Sequence, residues 1–110
     1  MEISEEQKGG VLTLGLSGKL DATSSKAFED RILAVIDAGA RQLVVDLSRL
    51  DYVSSSGLRV LLLAAKRLKS ENGKIALCSL KDPVREVFDI AGFSSILSLY
   101  GSHEEALKSL

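Results

Sequence analysis

The sequence predicts an α/β fold: an open, mostly parallel sheet of four to five strands, an antiparallel strand at its N-terminal edge, and about four helices. Three observations predict it. Short apolar runs alternate with amphipathic helical stretches along the 110 residues, and such alternation needs right-handed crossovers that lay the strands parallel. A Gly9-Gly10 pair divides two strand-like runs near the start, as a hairpin does. Finally, 45% apolar and 26% charged residues is ordinary globular composition, and a chain of this length buries roughly two thirds of its unfolded surface. No repeat, low-complexity tract or Pro/Gly-rich linker divides the chain, so residues 1–110 read as one domain.

The elements follow in order. Glu2 to Gln7 is mostly polar and suits an edge strand. Across the turn, Leu12, Leu14 and Leu16 alternate within Val11–Leu16 and predict the second strand. Lys19 to Thr23 reads as a loop. Phe28, Ile32, Val35 and Ile36 fall at i, i+4, i+7 and i+8 and predict a helix over Ser25–Ala38, with Ser24 as N-cap and Gly39 as its stop. Gln42–Leu47 is apolar without alternation, the pattern of a strand covered on both faces. A long helix spans Ser56–Glu71, with Leu58, Leu61, Leu62, Ala65 and Leu68 on one face, and Asn72-Gly73 ends it. Lys74–Cys78 is the next buried strand. Asp82 as N-cap and Pro83 in the first turn open a helix carrying Val84, Val87, Phe88 and Ala91, which Gly92 closes. Ser95–Leu99 reads as a short strand, and Ser102 with Glu105 forms a capping box for a last helix ending near Leu110.

Several function classes are excluded. Fourteen basic against fifteen acidic residues leave a net charge of −1, without the basic excess of a nucleic-acid binder. One cysteine and one histidine provide neither a disulfide framework nor a zinc site, and no cofactor or metal is expected. No apolar run reaches the ~18 residues of a membrane span. The start, Met1-Glu2-Ile3-Ser4-Glu5-Glu6, is acidic where a secretion signal is basic and then apolar. A cytoplasmic protein without membrane association is the expectation.

In an open sheet of this type, sites gather where loops leave the carboxyl ends of strands. Two loops stand out, Ser17 to Ser24 and Ser48 to Ser56. The second places Ser54, Ser55, Ser56 and Gly57 at the mouth of the longest helix. The first turn of a helix has free N–H donors and the positive end of the macrodipole, so a phosphorylated serine is tolerated there by its own helix. One of these serines as a plain N-cap is the competing reading, and the two roles are compatible. With the leucine face buried, Arg59, Val60, Leu63, Lys66 and Arg67 fall on the other side. Val60 and Leu63 then suit a partner-contact patch, unless a neighbouring helix covers them.

The run from Asp46 to Leu58, DLSRLDYVSSSGL, resembles the signature of the STAS domain, the family of sulfate transporters and anti-sigma factor antagonists, which reads roughly D-L-S-x-[LV]-x-[YF]-[ILMV]-D-[ST]-[ST]-G-L. Gly18-Lys19-Leu20-Asp21 resembles the family's G-x-[LI]-D loop, and Val84 to Phe93 resembles its V-x-x-[VLM]-[FL]-x-x-x-G-[LF] helix. The likeness runs over nearly the whole chain and is closer to a stand-alone bacterial anti-sigma factor antagonist than to a transporter tail. It implies a non-enzymatic regulator that needs no cofactor. The unphosphorylated form would bind an anti-sigma factor kinase of histidine-kinase-type ATPase fold and release the sigma factor. Phosphorylation at Ser56, with Ser55 as the second choice, would switch it off, and a metal-dependent serine/threonine phosphatase would restore it. Asp21, Ser54, Ser55, Ser56, Gly57, Arg59, Val60 and Leu63 would meet the partner. Ser54 stands where the family often has aspartate, which removes a negative charge beside the acceptor. A STAS scaffold that is never phosphorylated is the alternative reading.

The remaining candidates carry less chemistry. Cys78 reads as a small core residue, and His103 as a solvated residue with no partner. Asp46 and Asp51 could hold loop N–H groups, but they lack the nucleophile–base set that an enzyme needs. The serine run is neither a G-x-S-x-G elbow nor a phosphate-cradling P-loop.

Overall fold

The computed structural model describes residues 1–110. Strands β1 (Glu2–Lys8) and β2 (Val11–Leu20) form the hairpin, and Gly9 and Gly10 both take positive φ, as a type I′ turn requires. Then come α1 (Ser25–Asp37), β3 (Gln42–Val53), α2 (Ser55–Ser70), β4 (Lys74–Cys78), α3 (Asp82–Ile90), a 3-10 turn at Phe93–Ser95, β5 (Leu99–Tyr100) and α4 (His103–Lys108). The sheet order is β1-β2-β3-β4-β5. The β1–β2 pair is antiparallel and the other three pairs are parallel. The mixed sheet with four helices is the expected architecture.

Strand alternation divides the core into two layers. Leu14, Leu16, Leu43, Val45, Leu47 and Leu77 meet Phe28 and Ile32 of α1, Leu61 and Leu68 of α2, and Phe88 of α3 on one face. Val44, Ala76 and Cys78 point to the other, beneath Ala106 of α4. The middle of β3 is therefore covered on both sides, as its unbroken apolar run implies. Cys78 is a core residue, and burial pushes its thiol pKa up.

The largest departure from the sequence expectation lies at the ends of β2 and β3. Both run on past Leu16 and Leu47, so most of the two expected loops is strand. Two register irregularities explain why the pattern concealed this. Gly15 to Ser17 on β2 faces Asp46 to Arg49 on β3, and Gly18 to Lys19 faces Leu50 to Tyr52. Each inserts an extra residue into β3, as a β-bulge does. The buried positions then fall at Leu47, Leu50 and Val53, a period of three where a regular strand shows two. Asp46 accepts the Ser48 N–H at 3.0 Å, satisfying a donor at the first bulge.

Other boundaries shift for local reasons. Helix α2 starts at Ser55 with Ser54 as its N-cap. At its end Asn72, not Gly73, takes the left-handed conformation; Gly73 N–H bonds Leu68 O at 2.7 Å and Asn72 N–H bonds Lys69 O at 3.2 Å, a Schellman closure. Helix α3 has Lys81 as N-cap, Asp82 in its first turn and Ala91 exposed. The expected strand over Ser95–Leu99 shrinks to β5 at Leu99–Tyr100, and Ser95–Ser98 lie outside it. The Ser95 hydroxyl donates to Gly92 O at 2.9 Å, and the Ile96 and Leu97 amides turn back to Phe93 O, so local bonding outcompetes the sheet until Leu99. In α4 the Ser102 hydroxyl accepts from Glu105 N–H at 3.1 Å as the capping box requires, while the Glu105 carboxylate reaches Gly101 N–H at 3.2 Å.

His103 has a partner after all: its Nε2 lies 3.0 Å from Thr13 Oγ1, joining α4 to β2 across 90 residues of sequence. Thr13→Val keeps the shape of the side chain and removes that bond. It is expected to cost about 1 kcal/mol in urea unfolding, with faster amide exchange in α4 than in the rest of the chain.

Candidate functional site

Two helix N-termini meet at the carboxyl ends of β2 and β3. Leu20 pairs with Val53 as the last rung between these strands. One residue later, Ser54 N–H donates to Leu20 O at 2.8 Å, so α2 begins directly above the end of β2. Gly57 makes this approach possible. A methyl group there would stand 2.6 Å from Leu20 Cγ and 3.2 Å from Leu20 O. The glycine is needed for space and not for an unusual φ.

In the first turn of α2, Ser54 is N-cap and its Oγ accepts from Gly57 N–H at 3.3 Å. This leaves the Ser55 and Ser56 amides as the free donors of that turn. No acidic residue occupies it. Ser55 is exposed, whereas Ser54 and Ser56 are half-buried. Ser56 Oγ lies 2.8 Å from Ser54 Oγ and 3.0 Å from Ser25 Oγ. Ser25, the first residue of α1, is only 5% exposed and is the one polar residue among the buried set.

The neighbouring turn, Asp21–Ser24, is organised by its own carboxylate. Asp21 Oδ1 accepts from Thr23 Oγ1 at 2.6 Å, Thr23 N–H at 3.0 Å and Ser24 N–H at 3.2 Å. Ser24 occupies the expected N-cap position without a side-chain cap bond. Its hydroxyl donates to Lys19 O at 2.8 Å and accepts from Asp21 N–H at 3.0 Å. The Thr23 hydroxyl, followed by the backbone amides, holds the Asp21 carboxyl below its ordinary value. A depressed carboxylate contributes stability that is complete above the unfolded value of about 4 and is lost as pH falls through the folded one.

The predicted residues are thus partly brought together. Asp21, Ser54, Ser55, Ser56 and Gly57 converge on one edge. Arg59 is exposed on the following turn of α2, 3.8 Å from Glu29 of α1, and Leu63 is 37% exposed. Val60 is not part of a surface patch: it is 1% exposed and belongs to the core. The buried arc of α2 is centred on Gly57, Leu61, Ala64 and Leu68, and Arg59 and Arg67 pair with Glu29 and Asp37, which lays α1 along the flank that carries Val60. Asp51 holds no loop amide; it pairs with Lys81 at the start of α3. Sequence reasoning missed Ser25, because a serine opening a helix is unremarkable until the fold places it against Ser56. It also missed Tyr52, 48% exposed beside the site. No group of three or more His, Cys, Asp or Glu side chains is placed to hold a metal, and no helix is long and apolar enough to cross a membrane.

The five-stranded mixed sheet with four helices agrees with the family that the sequence resembles, and residues 2–106 match the STAS domain. The chain belongs to the STAS domain family. Anti-sigma factor antagonist BtrV of Bordetella bronchiseptica is 43% identical to this STAS chain over 106 residues, covering 96% of the chain and 91% of that protein. The anti-sigma F factor antagonist of Paenibacillus polymyxa is 31% identical over 111 residues, covering 100% and 95%. Among solved structures, an anti-sigma factor antagonist from Mycobacterium paratuberculosis superposes with a TM-score of 0.90 at 26% identity, covering 98% and 92%. By name these STAS relatives are regulators and not enzymes.

Two outcomes follow from the geometry. Thr23→Ala removes the shortest bond to Asp21 and is expected to raise the Asp21 titration towards the ordinary carboxylate value, as read by carboxyl NMR. Gly57→Ala forces α2 off Leu20 and is expected to cost about 1–3 kcal/mol in urea unfolding.

Proposed function

We propose that this STAS chain is an anti-sigma factor antagonist whose docking is switched by phosphorylation at Ser56. The partner is an anti-sigma factor serine kinase of histidine-kinase-type ATPase fold, bound through Asp21, Ser54, Ser55, Ser56, Gly57, Arg59 and Leu63. A metal-dependent serine/threonine phosphatase reverses the mark, and ATP and magnesium belong to the kinase. The names of relatives at 43% and 31% identity support the regulatory role. The observation that carries the switch is the position of Ser56: the first turn of the longest helix, with no acidic side chain in that turn.

The physical sequence is short. The Ser56 oxygen attacks the γ-phosphorus of ATP, the bond to the leaving ADP breaks, and the hydroxyl proton departs to the kinase. The product carries about −1.5 to −2 charges at pH 7. Its own helix tolerates that charge through the free Ser55 and Ser56 amides and the macrodipole. A partner surface shaped for a neutral hydroxyl does not, since like-charge or desolvated juxtaposition costs several kcal/mol. A loss of about 3 kcal/mol is more than a hundredfold in affinity. The switch needs no refolding.

A STAS scaffold that is never phosphorylated is the second reading. It draws on Ser56 being half-buried and bonded to two other hydroxyls. Incubation with the cognate kinase and ATP separates the two by intact mass. The switch reading expects a gain of one phosphoryl group, lost in Ser56→Ala and retained in Ser55→Ala. Ser56→Asp is expected to weaken kinase binding about a hundredfold in calorimetry, while Ser56→Ala binds like the unmodified chain. Absence of any mass gain with an active cognate kinase supports the scaffold.

A further inference from the structure

The hydroxyl that the proposed switch leaves unused is Ser25. Its Oγ lies 2.6 Å from Asp21 O and 3.0 Å from Ser56 Oγ, and proton counting assigns a direction to each of these bonds. A serine hydroxyl has one proton, and a carbonyl oxygen only accepts. The Ser25 proton therefore lies on Asp21 O. Towards Ser56, Ser25 acts only as acceptor, so the Ser56 proton points inward to Ser25. Ser54, 2.8 Å from Ser56, must then be the donor in that pair, and the Ser54 Oγ itself accepts from the Gly57 N–H at 3.3 Å. The chain runs from Gly57 N–H through Ser54, Ser56 and Ser25 to the carbonyl of Asp21.

We propose that Ser25 is a positioning residue that reports the chemical state of Ser56 to the Asp21–Ser24 turn. The proposal rests on Ser56 as the phosphoryl acceptor for its biological consequence, but the relay itself is a property of the unmodified chain. When the Oγ–P bond forms, the bond from phosphorus to the leaving nucleoside diphosphate breaks and the Ser56 proton is lost. The ester oxygen has nothing to donate. Two oxygens 3.0 Å apart would then face each other through lone pairs alone. Either Ser25 swings its proton from the Asp21 carbonyl to Ser56, or the Ser56 side chain turns outward and leaves a buried hydroxyl without its donor. The first route breaks the bond from Ser25 to the Asp21 carbonyl, and the second strips the donor from the Ser25 oxygen that makes that bond and so alters its strength. The Asp21 carbonyl also accepts the Ser24 and Ser25 amides at 3.2 and 2.9 Å, so these two amides are the reporters. A mark on α2 thereby alters the exposed residues Ala22 and Thr23, a second surface beside the phosphate itself.

The test uses the intact chain with Ser25→Ala, Ser56→Ala and the double variant. Ser56→Ala removes the hydroxyl, oxygen and proton together, so Ser25 loses its donor without any kinase and without the added charge. It is expected to shift the Ser24 and Ser25 amide resonances in the ordinary background, and the Ser24 amide far less, by about threefold or more, in the Ser25→Ala background. In urea unfolding the cycle is expected to show a coupling of about fivefold in the folding constant, typical of one hydrogen bond. Unmoved amides in Ser56→Ala, or an equal Ser24 shift with and without the Ser25 hydroxyl, overturn the relay. Kinase-phosphorylated chain is then compared by the same spectra. Phosphorylation at Ser56 with unmoved Ser24 and Ser25 amides overturns the relay and leaves the switch standing. A kinase that does not modify Ser56 overturns the switch, and the variant cycle alone then decides the relay.

Discussion

The site depends on the close seating of α2 upon the end of β2. Ser54 N–H reaches Leu20 O at 2.8 Å, and Gly57 leaves no atom between the helix and the Leu20 side chain. A side chain at Gly57 would lift the first turn by the width of a methyl group. The hydroxyl of Ser56 would then leave the 3.0 Å contact with Ser25, since an oxygen–oxygen separation of about 3.6 Å is no longer a hydrogen bond. The two bulges between β2 and β3 serve the same end. By feeding extra residues into β3 they bring Val53 level with Leu20, so that both strands deliver their following loops at one height.

Much of this architecture is legible in the residues, because caps and covered strands leave strong local marks. Gly39 after an amphipathic stretch, Ser102 three residues before Glu105, and the unbroken run at Val44 and Val45 each follow from chemistry within a few positions. What is hidden depends on chain segments far apart in sequence. The bulges turn the buried period of β3 from two to three beyond Asp46, so a search for alternation ends the strand at Leu47. Val60 falls on the polar side of a stripe drawn through Leu58, Leu62 and Ala65, yet α1 lies along that flank and closes over it. His103 and Thr13 are 90 residues apart, and Ser25 and Ser56 are 31 apart. Nothing local marks either pair.

Electrostatics at this edge is local and does not follow from the net charge of −1. Asp21 sits beside the serines in the fold, but its Oδ1 is turned into its own loop, where it accepts from Thr23 and Ser24. It organises the turn instead of facing Ser56 as a bare charge. Asp51 is likewise engaged with Lys81, an exposed pair of the kind that contributes at most about 1 kcal/mol. The first turn of α2 therefore keeps an unopposed positive helix end. An added phosphate on that turn meets amide donors from its own chain, and the penalty falls on whatever surface is docked against it.

Ser55 and Ser56 divide the two properties that a phosphoryl acceptor uses. Ser55 is exposed and open to a kinase, but no side chain in the structure holds its hydroxyl. Ser56 is half-buried and held between two neighbours. Ser54 and Ser25 together fix the direction of the Ser56 oxygen, and under the proposed switch its proton turns from Ser25 to the kinase as that oxygen meets the phosphorus. Orientation of that kind lowers the entropic part of a transfer barrier, whereas exposure alone only speeds encounter. Under the proposed switch, the neighbouring hydroxyls favour Ser56 over Ser55, and Ser54, standing where the family often has aspartate, acts as a donor to Ser56 where a carboxylate would accept from it.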